Sequence, residues 1–304
     1  MRRVLRCIGL LLVLNAASLD AQSLAVERNG VWHRWWQAGR APASWAAALP
    51  VVSGAVRWRQ GQPGIDIGEV RLSGGGEAWR IRAILVRFDP ARLRLGLELG
   101  ALVAGSRNQW SLRSAPDDAV LALNAGQFAG GGPWGWVVQD GVERQPPGRG
   151  PLAPAVVVER DGVVRIVPPD RIAVERASGR VVQAFQSYPA LLTGDGAIPA
   201  PIRTRGLGVD LAHRDSRLGI GELRDGRVLI VMTRFEGLGG ALDNLPFGLT
   251  TPEMAALMGA LGCRQAVLLD GGISSQLAVR EADGELRAWT GMRYVPVGLV
   301  ARLR

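Results

Sequence analysis

The sequence predicts an α+β domain with a β-rich mixed sheet core and few helices, and three observations carry that expectation. Short apolar or alternating runs recur along the chain, broken by Asp140-Gly141, Asp161-Gly162 and Asp225-Gly226, pairs that favour tight hairpins. The clearest helical segment, from Thr250 to Gly262, carries both start and stop signals. Two apolar runs, residues 119–123 and 266–269, each end in a polar side chain, Asn124 and Asp270, followed by a glycine-containing loop.

The elements follow in chain order. Residues 1–21 begin with Arg2, Arg3 and Arg6, continue through an apolar stretch over residues 7–17 and reach a small residue at Ala21, the pattern of a signal peptide. Its apolar part is well short of the roughly 20 residues that span a bilayer, and no later stretch reaches that length. The expectation is an exported protein, periplasmic or secreted, without an integral membrane segment once the leader is removed. Residues 22–63 hold Trp32, Trp35, Trp36, Trp45 and Trp58 among Gly, Pro and Ala, and read as an extension anchored on the domain, with a platform for sugar rings as the sharper alternative.

The domain proper is expected over residues 64–304. Ile65 and Ile67 alternate, and residues 78–88 and 93–99 read as strands joined at Asp89-Pro90-Ala91 that open the main sheet. Hairpins are expected after residues 136–138, across 155–167 and across 218–231. In the helix, Thr250 stands at the N-cap, Pro252 in the first turn, Glu253 in capping-box position and Gly262 at the end, with Met254, Leu257, Met258 and Leu261 on one face. A strand to Asp270, another at 276–280, a turn at Ala282-Asp283-Gly284 and a last strand at 295–302 complete the chain.

Composition removes several chemistries. All 36 basic residues are arginine, which excludes a Schiff base, a phosphate-loop lysine and a lysine general base, and leaves the guanidinium fork for phosphate or carboxylate. His33 and His213 are the only histidines and share no metal-ligand spacing. A histidine-rich zinc site is therefore excluded. No cofactor is required; an oxygen-ligated divalent cation is compatible, and proton transfer falls mainly to Asp and Glu. With Cys7 in the leader, Cys263 has no disulfide partner and reads as a buried small hydrophobe. The net charge of +9 includes three leader arginines. Without a basic and aromatic module for nucleic acid, it reads as general surface plus phosphate sites.

The phrase Asp270-Gly271-Gly272-Ile273-Ser274-Ser275 after an apolar run is how a buried strand delivers a carboxylate to a pocket, with glycines that let the backbone turn and approach a ligand. An Asx turn explains an isolated Asp-Gly equally well. Taken together, Asn124-Ala125-Gly126-Gln127-Phe128, Tyr188-Pro189, residues 217–221, Gly248-Leu249-Thr250 with Glu253, and the Asp270 phrase resemble the phosphodiester glycosidase domain. That family includes the mannose 6-phosphate uncovering enzyme and bacterial proteins of exopolysaccharide biosynthesis. The resemblance spans roughly residues 65–303 in the family's order. It departs at Gln127, which precedes Phe128, and at Leu268, where many members carry Asn.

The resemblance implies a hydrolase that cleaves the glycosidic bond of a sugar 1-phosphodiester in envelope or extracellular glycans, with a sugar phosphodiester or anionic polysaccharide as partner. A phosphate leaves as a stable anion, so catalysis can concentrate on the developing oxocarbenium ion and on orienting the phosphate. Asp270 then stabilises the sugar cation, as nucleophile or as base for water. Glu253 is a second catalytic candidate, although a capping box explains it fully. Arg217 binds phosphate in bidentate fashion, and Asn124 hydrogen-bonds sugar or phosphate. Ser274 and Ser275, with backbone amides around Gly271 and Gly272, donate to phosphate oxygens. Asp195 and Asp210 are candidates for a second carboxylate. The alternative is a noncatalytic polysaccharide-binding or exopolysaccharide assembly factor.

Overall fold

The structure is a computed structural model that describes residues 22–103, 107–204, 209–237, 245 and 247–304. The signal-peptide expectation over residues 1–21 lies outside the described residues. Three sheets dominate. The largest has nine strands among the described residues, in the order Ala190–Leu192, Cys263–Leu268, Leu218–Leu223, Val228–Phe235, Ile81–Phe88, Ile65–Gly74, Ser23–Arg28 and Val31–Gln37, with Arg57–Gln60 also paired to Ile65–Gly74. A five-stranded sheet runs Leu286–Trp289, Leu277–Arg280, Leu121–Asn124, Val297–Leu303, Leu93–Leu99. The other five-stranded sheet runs Val142–Gln145, Val137–Gln139, Val181–Gln186, Ala155–Glu159, Val164–Val167. Their described ladders are antiparallel, and the three Asp-Gly hairpins form where the sequence predicts them.

The strand Cys263–Leu268 shows why its sequence is apolar at successive positions. Ala266 and Leu268 belong to the core built around the helix Thr251–Ala260, whereas Val267, with Leu269 just beyond the strand, belongs to the core shared with both five-stranded sheets. Side chains alternate across a strand, so a strand between two cores must be apolar on both faces.

The helix is capped as predicted: Thr250 Oγ1 accepts from the Glu253 amide at 3.3 Å, and Glu253 Oε2 accepts from the Thr250 amide at 2.8 Å. It is buried on every side rather than along one stripe, because Ala255, Ala256, Gly259 and Ala260 oppose the larger residues and are covered too. A Cβ on Gly259 would collide with the Trp45 ring, so the missing side chain is what lets the N-terminal segment lie against the helix.

Two expectations change. Residues 22–63 do more than lie on the domain: Ser23–Arg28, Val31–Gln37 and Arg57–Gln60 are strands of the largest sheet, and Leu24, Val26, Trp36 and Trp45 enter its core. Trp36 and Trp45 are buried and Trp58 lies under the Arg87 guanidinium at 4.3 Å, whereas Trp32 is half-exposed. Burial alternates poorly along Val31–Gln37, which hid that strand. The strands on either side of Asp89-Pro90-Ala91 also part company. Ile81–Phe88 pairs with Ile65–Gly74 and Val228–Phe235, but Leu93–Leu99 pairs with Val297–Leu303 in another sheet. The Asp89 carboxylate accepts from the Ala91 amide at 2.9 Å and starts the short 3-10 turn Pro90–Arg92 that redirects the chain. Cys263 is fully buried, and burial pushes its thiol well up. Among the described residues no helix is long and apolar enough to cross a membrane.

Candidate active site

A cavity of about 600 Å³ opens at one end of the central strands. Its geometry follows from strand pairing. Cys263–Leu268 and Leu218–Leu223 are antiparallel neighbours with Leu268 opposite Gly219, so the residues leaving one strand lie beside those entering the other. The Leu269 amide donates to the Leu218 carbonyl at 2.8 Å, and this register brings Asp270 and Arg217 to the same cavity wall.

The third strand end is Asn124, which does not reach the cavity. Its Nδ2 donates to the Asp270 carbonyl at 2.9 Å and its Oδ1 accepts from the Gln276 amide at 2.9 Å, so the expected sugar or phosphate contact is replaced by a splint across the loop 270–276. The Asp270 amide donates to the Gly126 carbonyl at 3.1 Å, so both backbone polar groups of Asp270 are held.

Asp270 lines the cavity, and its side-chain Oδ2 is buried without a hydrogen-bond partner among the described residues. Burial raises its pKa; a hydrogen bond with Ser274 and the charge of Arg293 oppose that shift, while the nearby Asp215 carboxylate reinforces it. Asp215 was not singled out in the sequence, yet it lines the same cavity with Oδ1 equally unpartnered. Burial also raises its pKa, against the charges of Arg217 and His213; His213 Nε2 lies 3.6 Å from Asp215 Oδ2.

The two glycines have a different reason from the expected approach of a ligand. Gly272 has φ +58°, and a Cβ there would lie 2.6 Å from Asp215 Oδ2; a Cβ on Gly271 would lie 2.6 Å from the Ser216 carbonyl oxygen. The Asp-Gly-Gly phrase thus makes room for the segment that carries the second carboxylate. Gly271 still lines the cavity.

Arg217 is buried, with Nε donating to the Leu249 carbonyl at 2.8 Å and Nη2 to the His213 carbonyl at 2.6 Å. Nη1 has no hydrogen-bond partner among the described residues, so one corner of the fork is available to a ligand rather than two. Burial lowers the Arg217 pKa, countered by Asp215, Asp210 and Glu253.

The remaining candidates divide between the interior, the cavity wall and the outer surface. Glu253 is fully buried and absent from the cavity lining; its oxygens accept from Arg214 Nη1 at 2.6 Å and Nη2 at 2.8 Å in addition to the capping contact. Its expected catalytic role is replaced by a bidentate buried ion pair that ties the helix to the loop bearing Asp215. Ser274 serves Asp270 instead of a phosphate. Ser275 is buried away from the cavity, its carbonyl accepting from Arg234 Nη2 at 2.6 Å. Asp210 lines the cavity, with its carboxylate engaged by the Ala212 and His213 amides, whereas Asp195 is exposed and paired with Arg224.

The cavity wall also includes Trp134, Tyr188 and Arg149. Gln127 Nε2 donates to the Tyr188 carbonyl at 3.0 Å, which ties two of the motif phrases together. Among the described residues no group of three or more His, Cys, Asp and Glu is placed to hold a metal ion. Two carboxylates of raised pKa, a guanidinium corner and an aromatic wall in one cavity are the equipment for acid-base chemistry beside an anion.

Comparison with known proteins agrees in fold. The sequence model of the family described as phosphodiester glycosidase matches residues 117–302. Among solved structures, the chain is similar to the zebrafish N-acetylglucosamine-1-phosphodiester alpha-N-acetylglucosaminidase catalytic domain auto-inhibited by pro-peptide, with TM-score 0.58 and 16% identity over 85% of this chain and 87% of that one. It is also similar to a hypothetical protein from Synechocystis, with TM-score 0.55 and 16% identity over 82% of this chain and 64% of the other. No curated protein matches the chain.

Proposed function

This chain belongs to the phosphodiester glycosidase family, and from that premise we propose that it is an exported hydrolase cleaving the glycosidic bond of a sugar 1-phosphodiester in envelope or extracellular glycans. The observation that carries the reading is the meeting of Asp270, Asp215 and Arg217 at one cavity. The leader-like first 21 residues support export to the periplasm or beyond.

In this reading the sugar ring lies along Trp134 and Tyr188, with its anomeric carbon toward Asp270 and the phosphate toward Arg217 Nη1 and Arg149. The bond from the anomeric carbon to the phosphate oxygen breaks, and its electron pair leaves with the phosphate. Asp270 stabilises the positive charge that develops on the ring. Water adds to the anomeric carbon and gives its proton to Asp215. Asn124, Ser274 and the Glu253–Arg214 pair touch no substrate; they hold the two carboxylates in place.

The test is hydrolysis of aryl and alkyl sugar 1-phosphodiesters, following free reducing sugar and phosphomonoester. Asp270→Asn is expected to lower turnover by about 10³-fold while the protein stays folded. Binding without turnover by the wild-type protein would instead make it a polysaccharide-binding factor, and sugar 1-phosphate with the free aryl or alkyl alcohol as the first products would place the cleavage at phosphorus.

A further inference from the structure

Beside the cavity just described lies a second one of about 230 Å³, whose wall includes Ser111, Arg113, Thr290, Met292, Arg293 and Tyr294. We propose that this cavity is a subsite for the neighbouring glycosyl phosphate unit of an anionic polymer, so that the substrate is a repeating glycosyl phosphate chain rather than a single sugar phosphodiester. The proposal rests on the hydrolase reading and names the substrate class for the same site.

Continuity is the first argument. The loop that begins with Asp270 in the first cavity ends at Gln276 in the second, and six residues span at most about 20 Å even when fully extended. A cation-π contact links the two linings: the Arg293 guanidinium lies 4.6 Å from the Phe128 ring centroid. Phe128 directly follows Gln127 of the first cavity, and Arg293 lines the second. The charge of Arg293 also acts on Asp270, which places this contact within electrostatic reach of the reacting centre. A few linked sugars would bridge both cavities past this contact.

Chemical content is the second argument. Arg113 and Arg293 are exposed and have no carboxylate partner among the described residues, although many arginines of this chain are paired. Tyr294 and Met292 are 55% and 69% exposed, an apolar platform beside these cations. Two guanidinium groups fit a phosphodiester, while an aromatic face and the Ser111 and Thr290 hydroxyls fit a sugar ring. The floor is firm: the Gln276 side chain is buried, accepts from the Leu112 amide at 3.0 Å and donates to the Arg293 carbonyl at 3.3 Å. A neutral glycan would use the ring platform but form no ion pair with either guanidinium.

The test compares a defined trimer of glycosyl phosphate with the corresponding monomeric sugar phosphodiester, by calorimetric binding to the Asp270→Asn protein, in which turnover is removed. Trimer binding is expected to exceed monomer binding by at least about tenfold. Arg113→Glu is expected to erase that advantage, and Tyr294→Ala to reduce it, with monomer affinity within about twofold of the parent. A trimer that binds no better than the monomer, an advantage that survives Arg113→Glu, or equal losses for both ligands would overturn the proposal. Because binding is read directly, a protein that binds the trimer selectively but hydrolyses neither ligand sinks the hydrolase reading and leaves the polymer subsite standing.

Discussion

Replacement of Gly272 by alanine separates the packing of the two carboxylates from ordinary backbone strain. At φ +58° an alanine costs about 1–2 kcal/mol in the left-handed region. Its Cβ would stand 2.6 Å from Asp215 Oδ2 and 3.0 Å from Oδ1, so ordinary contact near 3.4 Å requires the nearer oxygen to move by about 0.8 Å. A displacement of that size in a reacting group lowers turnover by about 100-fold, equivalent to about 2.7 kcal/mol in the barrier. The comparison variant is Gly226→Ala: Gly226 has φ +82°, sits in a hairpin turn and has nothing within 4 Å of a built Cβ. Gly226→Ala should therefore melt about 2–8 °C lower than the parent protein, the range that 1–2 kcal/mol gives for a protein of this size, and Gly272→Ala at least as much lower because its clash adds to the strain. Only Gly272→Ala should also lose kcat/KM on an aryl sugar phosphodiester. Equal activity in the two variants would refute the idea that Gly272 exists to seat Asp215.

Two further outcomes follow from the charges around the site. Glu253→Gln keeps a capping side chain but leaves the Arg214 charge without its bidentate partner, so it should cost about 3 kcal/mol and lower Tm by roughly 6–12 °C; a thousandfold loss of activity at unchanged Tm would return Glu253 to the reacting centre. The pKa of Asp270 is raised on folding, so its contribution is favourable below the ordinary carboxylate range and is lost as pH rises through the folded value. Asp270→Asn should therefore melt above the wild-type protein at neutral pH, with the difference closing as pH falls below about 4, read by scanning calorimetry at both pH values.

The parts of this fold legible in the sequence are those decided locally. Asp-Gly pairs specify hairpins through backbone conformation, and Thr250 with Glu253 specifies a helix start through two hydrogen bonds, so both are visible in a few adjacent residues. The place of Asp270 was legible because an apolar run too short for a helix and closed by two glycines suits a strand covered on both faces. Asp215 was not: within His213-Arg214-Asp215-Ser216-Arg217 it looks like any solvated charge run, and its burial is produced by Leu249 and Gly272, both distant in sequence. One available signal was symmetry, since this run precedes the strand 218–223 as Asp270 follows its neighbour. Glu253 shows the converse. Its local explanation was complete, but the Arg214 partner that decides what else it does lies 39 residues away.

The stretch recognised by the family model starts at residue 117, whereas five of the nine strands of the largest sheet precede it. Trimming a recombinant version to that stretch would strip Ile81–Phe88 from Val228–Phe235 and turn an interior strand into a bare edge, a template on which further copies can stack. A piece that keeps this seam closed has to reach back at least to Ile81, and one that also keeps Leu24 and Val26 in the core they share with the helix has to begin no later than Ser23.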